Sequence, residues 1–148
     1  MIRKRLSTID DAAIYRLVVE QLVPFSRMYD SGNSVTFSEI RKRLNGNKTY
    51  VIAKGYKRPH GFISITRKSN VLFIDMLAID SRDQGKGLGN SLMKVAEDYG
   101  RSERCRTAEL FVDDSNPNAI RFYSKRGYVI DAYIQELSCY RMSKPIKH

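Results

Sequence analysis

Cysteine is scarce in this chain. Cys105 and Cys139 are the only two, too few and too isolated for a disulfide framework or a zinc cluster, so no metal is expected. No apolar run is long enough to span a bilayer. The opening MIRKRLSTIDD is basic but has no apolar stretch behind it, which reads as no secretory signal and predicts a reducing, cytoplasmic setting with no membrane partner. Repeats, linkers and low-complexity tracts are also missing. What is left is one expected domain over 1–148: 148 residues, 42% apolar, are enough for one core and too few for two ordinary ones.

Negative charge is in short supply as well. Sixteen Asp and Glu against 26 Lys and Arg leave a formal charge of +10, which favours anionic partners. Nucleic acid, a polyphosphate cofactor and an acidic substrate all qualify. The basic residues are scattered in short groups (IRKR, GYKRP, GRSERCR), and no aromatic-interleaved RNA-binding signature goes with them. A small nucleic-acid-binding protein is therefore the weaker reading.

Hydrophobic periodicity then orders the chain. IRKRL alternates as a first strand. Thr8 with Asp11 offers a helix start, followed by Ile14, Leu17, Val18 and Leu22 on one face and Pro24 as a stop. Thr36 with Glu39 makes a capping box, Val35 and Ile40 a hydrophobic staple, and Phe37, Ile40 and Leu44 an apolar face that Asn45-Gly46 ends. TYVIAKG, GFISITR and the nearly all-apolar VLFIDMLAID read as strands. A helix follows with Leu88, Leu92, Val95, Ala96 and Tyr99 on one side, then the strand RTAELFVDD. A short helix has Asn116 as cap, Pro117 at its first position and Gly127 beyond its end. The tail supplies one or two strands. The fold class is α/β with a mixed sheet.

Between the apolar strand and its helix lies DQGKGLGN, with glycines at every second position. A helix start bare of side chains favours an anion. The dinucleotide pattern G-x-G-x-x-G fails, because Asn90 stands at the third glycine position. The P-loop fails because Leu88 and Gly89, not Lys and Ser or Thr, follow Gly87. Gln84, Gly87 and Gly89 instead match Gln/Arg-x-x-Gly-x-Gly/Ala. NPNAIRFYSKRGY carries a second pattern, through Asn116, Ala119, Phe122, Tyr123, Gly127 and Tyr128.

On these two motifs, in this order, the sequence resembles the GNAT superfamily of acyl-CoA-dependent N-acetyltransferases. The resemblance covers nearly the whole chain and is strongest from Leu77 to Tyr128. It implies six to seven strands flanked by about four helices, with a splayed central strand. It also implies direct acetyl transfer from acetyl-CoA to an amine, without metal. The loop residues Gln84, Gly85, Lys86, Gly87, Leu88 and Gly89 would hold the pyrophosphate, and main-chain groups of Leu77, Ala78 and Ile79 would meet the thioester and its amide-bearing arm. Asn116, Ala119, Phe122 and Tyr123 would line the cofactor, with Tyr123 the acid toward the departing sulfur. Arg82, Lys86 and Lys125 stand beside the motifs as phosphate partners.

The base departs from the family pattern. The resemblance allows a Glu five residues before the motif Asn, where this chain has Phe111. Asp75, the one charge in VLFIDMLAI, is the expected base, and alternation puts it on the face of Phe73 and Leu77. Glu109 and Asp113 are the alternatives. His60 reads as a surface residue, Cys139 as core, and Cys105 as part of a charged loop. Phe25, Arg27, Tyr29 and Tyr133 are expected around an amine acceptor whose identity the sequence leaves open, as it does homodimerisation. A non-catalytic acyl-CoA-binding module is the alternative that the missing Glu favours.

Overall fold

The computed structural model describes residues 1–25 and 35–148. Seven strands form one mixed sheet: β1 (Ile2–Lys4), β2 (Lys48–Ile52), β3 (Gly61–Lys68), β4 (Val71–Ile79), β5 (Thr107–Asp113), β6 (Val129–Ile134) and β7 (Cys139–Pro145). Their order is β1-β2-β3-β4-β5-β7-β6. Among the described residues, four α-helices flank the sheet: α1 (Ser7–Leu17), α2 (Phe37–Asn45), α3 (Leu88–Ser102) and α4 (Pro117–Lys125). This is the architecture the sequence predicts. Every neighbouring pair is antiparallel except β4 and β5. Parallel strands need a crossover, and α3 provides it.

α2 starts as its sequence spells it. Thr36 Oγ1 accepts the Glu39 N–H at 3.1 Å, and Val35 and Ile40 are buried together. Phe37 differs from expectation: it stays 39% exposed and meets the Tyr15 ring edge-on. α1 differs more. It begins at Ser7 with Leu6 as an uncapped N-cap residue, and Thr8 plays no capping part. Asp10 does that work instead, accepting the Leu6 N–H at 2.7 Å while Arg3 grips both its oxygens. Arg5 holds Asp11 in the same way, so two buried ion pairs fasten β1 to α1. Beyond Leu17 the helix does not stop at Pro24. It widens into a π turn, Val18–Leu22, and then tightens into a 3₁₀ turn, Val23–Phe25.

The sheet separates two cores. α3 and α4 cover one face over Ile63, Ile65, Leu72, Ile74, Leu110 and Met142. α1 and α2 cover the other, where Ile14, Leu17, Ile40 and Leu44 meet Val51, Phe62, Met76 and Ala78. Cys139 is buried, as expected. Cys105 is buried too, despite its charged neighbours, and burial pushes both thiols above their ordinary pKa. Among the described residues, no helix is long and apolar enough to cross a membrane, and no group of three His, Cys, Asp or Glu could hold a metal.

Two irregularities in β4 shape everything downstream. Ser64 pairs with Met76 and Ile65 with Ile74, so Asp75 is an extra residue, a β-bulge. The bulge breaks the alternation read from the sequence. Leu72 and Ile74 face the α3 side, but beyond Asp75 it is Leu77 and Ile79 that face that side, while Met76 and Ala78 turn toward α1 and α2. Asp75 therefore shares a face with Phe73 but not with Leu77. In addition, β4 and β5 pair only from Val71↔Thr107 to Ile74↔Leu110. Past that point the two parallel strands part into a fork.

Candidate active site

The fork opens beside the glycine loop. Gly85 and Gly87 adopt φ of +80° and +79°, and a Cβ at either would meet nothing within 4 Å. Glycine is needed here for its backbone, since a left-handed conformation costs other residues roughly 1–2 kcal/mol. The result is a loop with no side chain at Gly85 or Gly87. Gly87 is the N-cap of α3 without a side-chain cap, and the first intrahelical bond is Ser91 N–H to the Gly87 carbonyl at 3.1 Å. The N–H groups of Leu88, Gly89 and Asn90 have no carbonyl one turn back to receive them. Gln84 fastens the loop, donating to the Ile79 carbonyl at 3.0 Å and to Gln21 Oε1 at 3.1 Å.

The β4 main chain faces the fork in alternate steps. Asp80 N–H donates across to the His60 carbonyl at 2.8 Å, on the β3 side. In an antiparallel ladder this direction alternates, so Ala78 and Met76 also face β3, and Leu77 and Ile79 present their peptide groups to the fork. Ala78, expected as a main-chain contact with Leu77 and Ile79, is thus directed into the sheet ladder.

α4 forms the other wall. Asn116 Oδ1 accepts the Ala119 N–H at 3.2 Å, acting as the helix cap, and Pro117 follows at the first helical position. Phe122 rests against Gly89, where a Cβ would come within 3.1 Å of the ring. Tyr123 stacks edge-on between Phe122 and Tyr128, at centroid distances of 5.2 and 5.9 Å. Its hydroxyl makes no hydrogen bond to another described residue. Burial pushes that phenol well above its ordinary pKa.

On the opposite face, below the fork, lies a cleft of about 540 Å³. Asn47, Thr66, Lys68, Val71, Phe73, Asp75, Glu109 and Phe111 line it. Phe73 and Phe111 meet at 5.6 Å, and Phe111 is 44% exposed in mid-strand. Asp75, the expected base, is heavily engaged. Arg43 Nε and Nη2 donate to its two oxygens at 2.7 and 2.5 Å, and Asn47 Nδ2 adds a third bond at 2.8 Å. Glu109 lies opposite Phe73 in the parallel ladder and makes no hydrogen bond or ion pair among the described residues. Asp113 is farther along β5, bound to the Ser115 N–H and hydroxyl. Arg43 and Asn47 did not stand out in the sequence: they lie 32 and 28 residues from Asp75 and belong to no motif.

The basic residues around the loop are less free than their sequence suggests. Buried Asp80 accepts from the Arg82 N–H, Nε and Nη2, and from Arg16 at 3.3 Å. The Arg82 contacts lead in lowering its carboxyl to about 2. Lys86 leans on Asp83 at 3.3 Å, and His60, read as a plain surface residue, bonds the other Asp83 oxygen at 3.0 Å. Lys125 is exposed on the last turn of α4. Tyr133 donates to Asp114 and its ring tilts against Tyr140. Phe25 is partly exposed at the end of the 3₁₀ turn, while Arg27 and Tyr29 lie outside the described residues.

Residues 12–128 match the family model for the Acetyltransferase (GNAT) family, and the chain belongs to that family. It is 35% identical over 54 residues to the uncharacterized protein YdhI of Bacillus subtilis (strain 168), covering 36% of this chain. That match spans 34%, about a third, of the relative's own length. The solved structure of Ard1 from Thermoplasma volcanium superimposes with a TM-score of 0.80 at 25% identity, over 100% of this chain and 98% of that one. PaiA N-acetyltransferase from Thermoplasma acidophilum, solved with coenzyme A, shares the fold with a TM-score of 0.77 at 18% identity, over 98% and 99% of the two chains.

Proposed function

We propose that this chain is an N-acetyltransferase moving an acetyl group from acetyl-CoA directly to a primary amine. The observation that carries the reading is the fork between β4 and β5 opening beside the bare start of α3. That pair of features fits a ligand with a pyrophosphate at one end and an amide-bearing arm at the other. Acetyl-CoA supplies the activated acyl group as a thioester.

The residues divide the work. The N–H groups of Leu88, Gly89 and Asn90, with the side-chain-free Gly85 and Gly87, receive the pyrophosphate at the positive end of the α3 dipole. Lys86 and Arg82, both at the surface, add charge for the phosphates. The Leu77 N–H polarises the acyl oxygen as charge develops on it, and Ile79 pairs with the arm. Asn116, Ala119 and Phe122 wall the channel. Tyr123, whose phenol is protonated at neutral pH, gives its proton to the departing sulfur.

The acceptor approaches through the opposite cleft. An ammonium has a pKa of about 10 and must lose a proton to become a nucleophile. Glu109 takes that proton through water, because the oxygens of Asp75 are already committed to Arg43 and Asn47. Both cysteines are buried with raised pKa, which disfavours an acyl-enzyme.

Isothermal titration calorimetry with acetyl-CoA, against NADH and ATP as controls, is the test. One-to-one binding of acetyl-CoA alone, then thiol release with a panel of primary amines, is the expected result. Binding without turnover on any amine favours the second reading, an acyl-CoA-binding module, which Phe111 in place of a carboxylate supports. No binding of acetyl-CoA ends the proposal.

A further inference from the structure

Asp75 occupies an unusual place for a carboxylate. It is the inserted residue of the β4 bulge, only 11% of its side chain is exposed, and three donors hold it. Two of them come from Arg43, on the last turn of α2, in a two-pronged grip. The third comes from Asn47, just before β2, whose amide also donates to Ser64 Oγ at 3.0 Å. Ser64 is the residue paired with Met76 immediately past the bulge, and its hydroxyl shares a further bond of 2.9 Å with Thr49. The chain Thr49, Ser64, Asn47, Asp75, Arg43 thus ties β2, β3, the bulge and α2 together around one point.

That point governs the fork. A register slip of one residue would turn every β4 side chain and peptide group beyond it. With the bulge at Asp75, the Leu77 N–H faces the fork; without it, Leu77 would face β3. The geometry points to Arg43 and Asn47 as positioning residues that act through Asp75, fixing the bulge so that the Leu77 N–H is aimed at the acyl oxygen. Arg43 is 43% exposed, and Asp75, which it grips, lines the proposed acceptor cleft together with Asn47. The clamp therefore also links the acceptor side of the sheet to the strand that binds the thioester. This inference rests on the fork being the acyl site.

Amide NMR tests it without needing an acceptor. In the wild type, acetyl-CoA and free CoA should shift the Gly87 and Gly89 amides alike, and only acetyl-CoA should move the Leu77 amide further. Arg43→Gln should lose that acetyl-dependent Leu77 shift while keeping the Gly87 and Gly89 shifts, which a general loss of structure would also erase. Asp75→Asn should behave the same way, and Arg43→Lys, with charge but no two-pronged grip, should fall between. A Leu77 shift that survives in both Arg43→Gln and Asp75→Asn overturns the clamp. If the wild-type Gly87 and Gly89 amides ignore both ligands, it is the cofactor reading that has failed, and the clamp's role falls with it.

Discussion

Gly89 of α3 lies against the ring of Phe122 of α4, so close that a Cβ at Gly89 would stand 3.1 Å from Phe122 Cζ. Two segments more than thirty residues apart in sequence thereby set each other's position. Gly89→Val should separate them. Overpacking of this kind costs about 1–3 kcal/mol, to be read as a lower Tm together with weaker acetyl-CoA binding. Adding Phe122→Ala should recover part of the lost binding.

Gly87→Glu combines two insults: a left-handed φ forced on a residue with a Cβ, and a carboxylate at the start of α3. Strain of roughly 1–2 kcal/mol adds to the repulsion of a pyrophosphate. Calorimetry should show acetyl-CoA affinity falling by tenfold or more, about 1.4 kcal/mol. An unchanged Kd would remove the loop from cofactor binding.

Tyr123→Phe keeps the ring between Phe122 and Tyr128 and removes only the hydroxyl. If that hydroxyl is the acid, kcat should drop by roughly 10²-fold or more with acetyl-CoA Kd unchanged. Steady-state kinetics beside calorimetry separate the two quantities.

Glu97 is buried in α3 and serves three partners. Tyr128 donates to Oε2 at 2.8 Å, while Arg126 and Lys144 donate to Oε1 at 3.1 and 3.2 Å. Glu97→Ala leaves two cations and a hydroxyl without their acceptor, and breaking such a pair costs about 3–5 kcal/mol. Urea unfolding should show that loss, with Tyr128→Phe milder.

Asp80 carries a pH signature. Its carboxyl is lowered from 3.8 to about 2, chiefly by Arg82. A depressed carboxyl stabilises the fold above its unfolded pKa, and that stability is lost as pH falls through the folded value. Wild-type stability should therefore decline between pH 3.8 and about 2. Asp80→Asn should lack this part of the decline, as measured by denaturation at a series of pH values.

The sequence revealed those parts of the molecule that are local. The Thr36 cap, the Asn116 cap with Pro117, and the glycine loop each depend on residues within one turn of each other, and all three stand where their spacing put them. The bulge at Asp75 was hidden because it exists only in the pairing of β3 with β4. Strict alternation over VLFIDMLAI therefore put Leu77 on the wrong face. The Arg43 grip and the burial of Cys105 were equally hidden, since both depend on contacts between distant segments. The start of α1 was misread for the opposite reason: Thr8 with Asp11 offered a familiar local cap, but Asp10, held by Arg3 across the β1–α1 turn, accepts the Leu6 N–H.

The fork between β4 and β5 makes the sheet mechanically divided. Strands β1 to β4 form one panel and β5, β7 and β6 another, and the seam between them is stitched by only four residue pairs at one end. At the open end each panel shows the other a raw edge in the middle of a sheet, the kind of edge that proteins elsewhere cap or cover. In the proposed reading, a ligand arm lying in that gap would pair with both edges as a removable strand. Bound there as proposed, it would bridge the two panels beyond Ile74 and Leu110, and its departure would leave them joined by those four pairs alone.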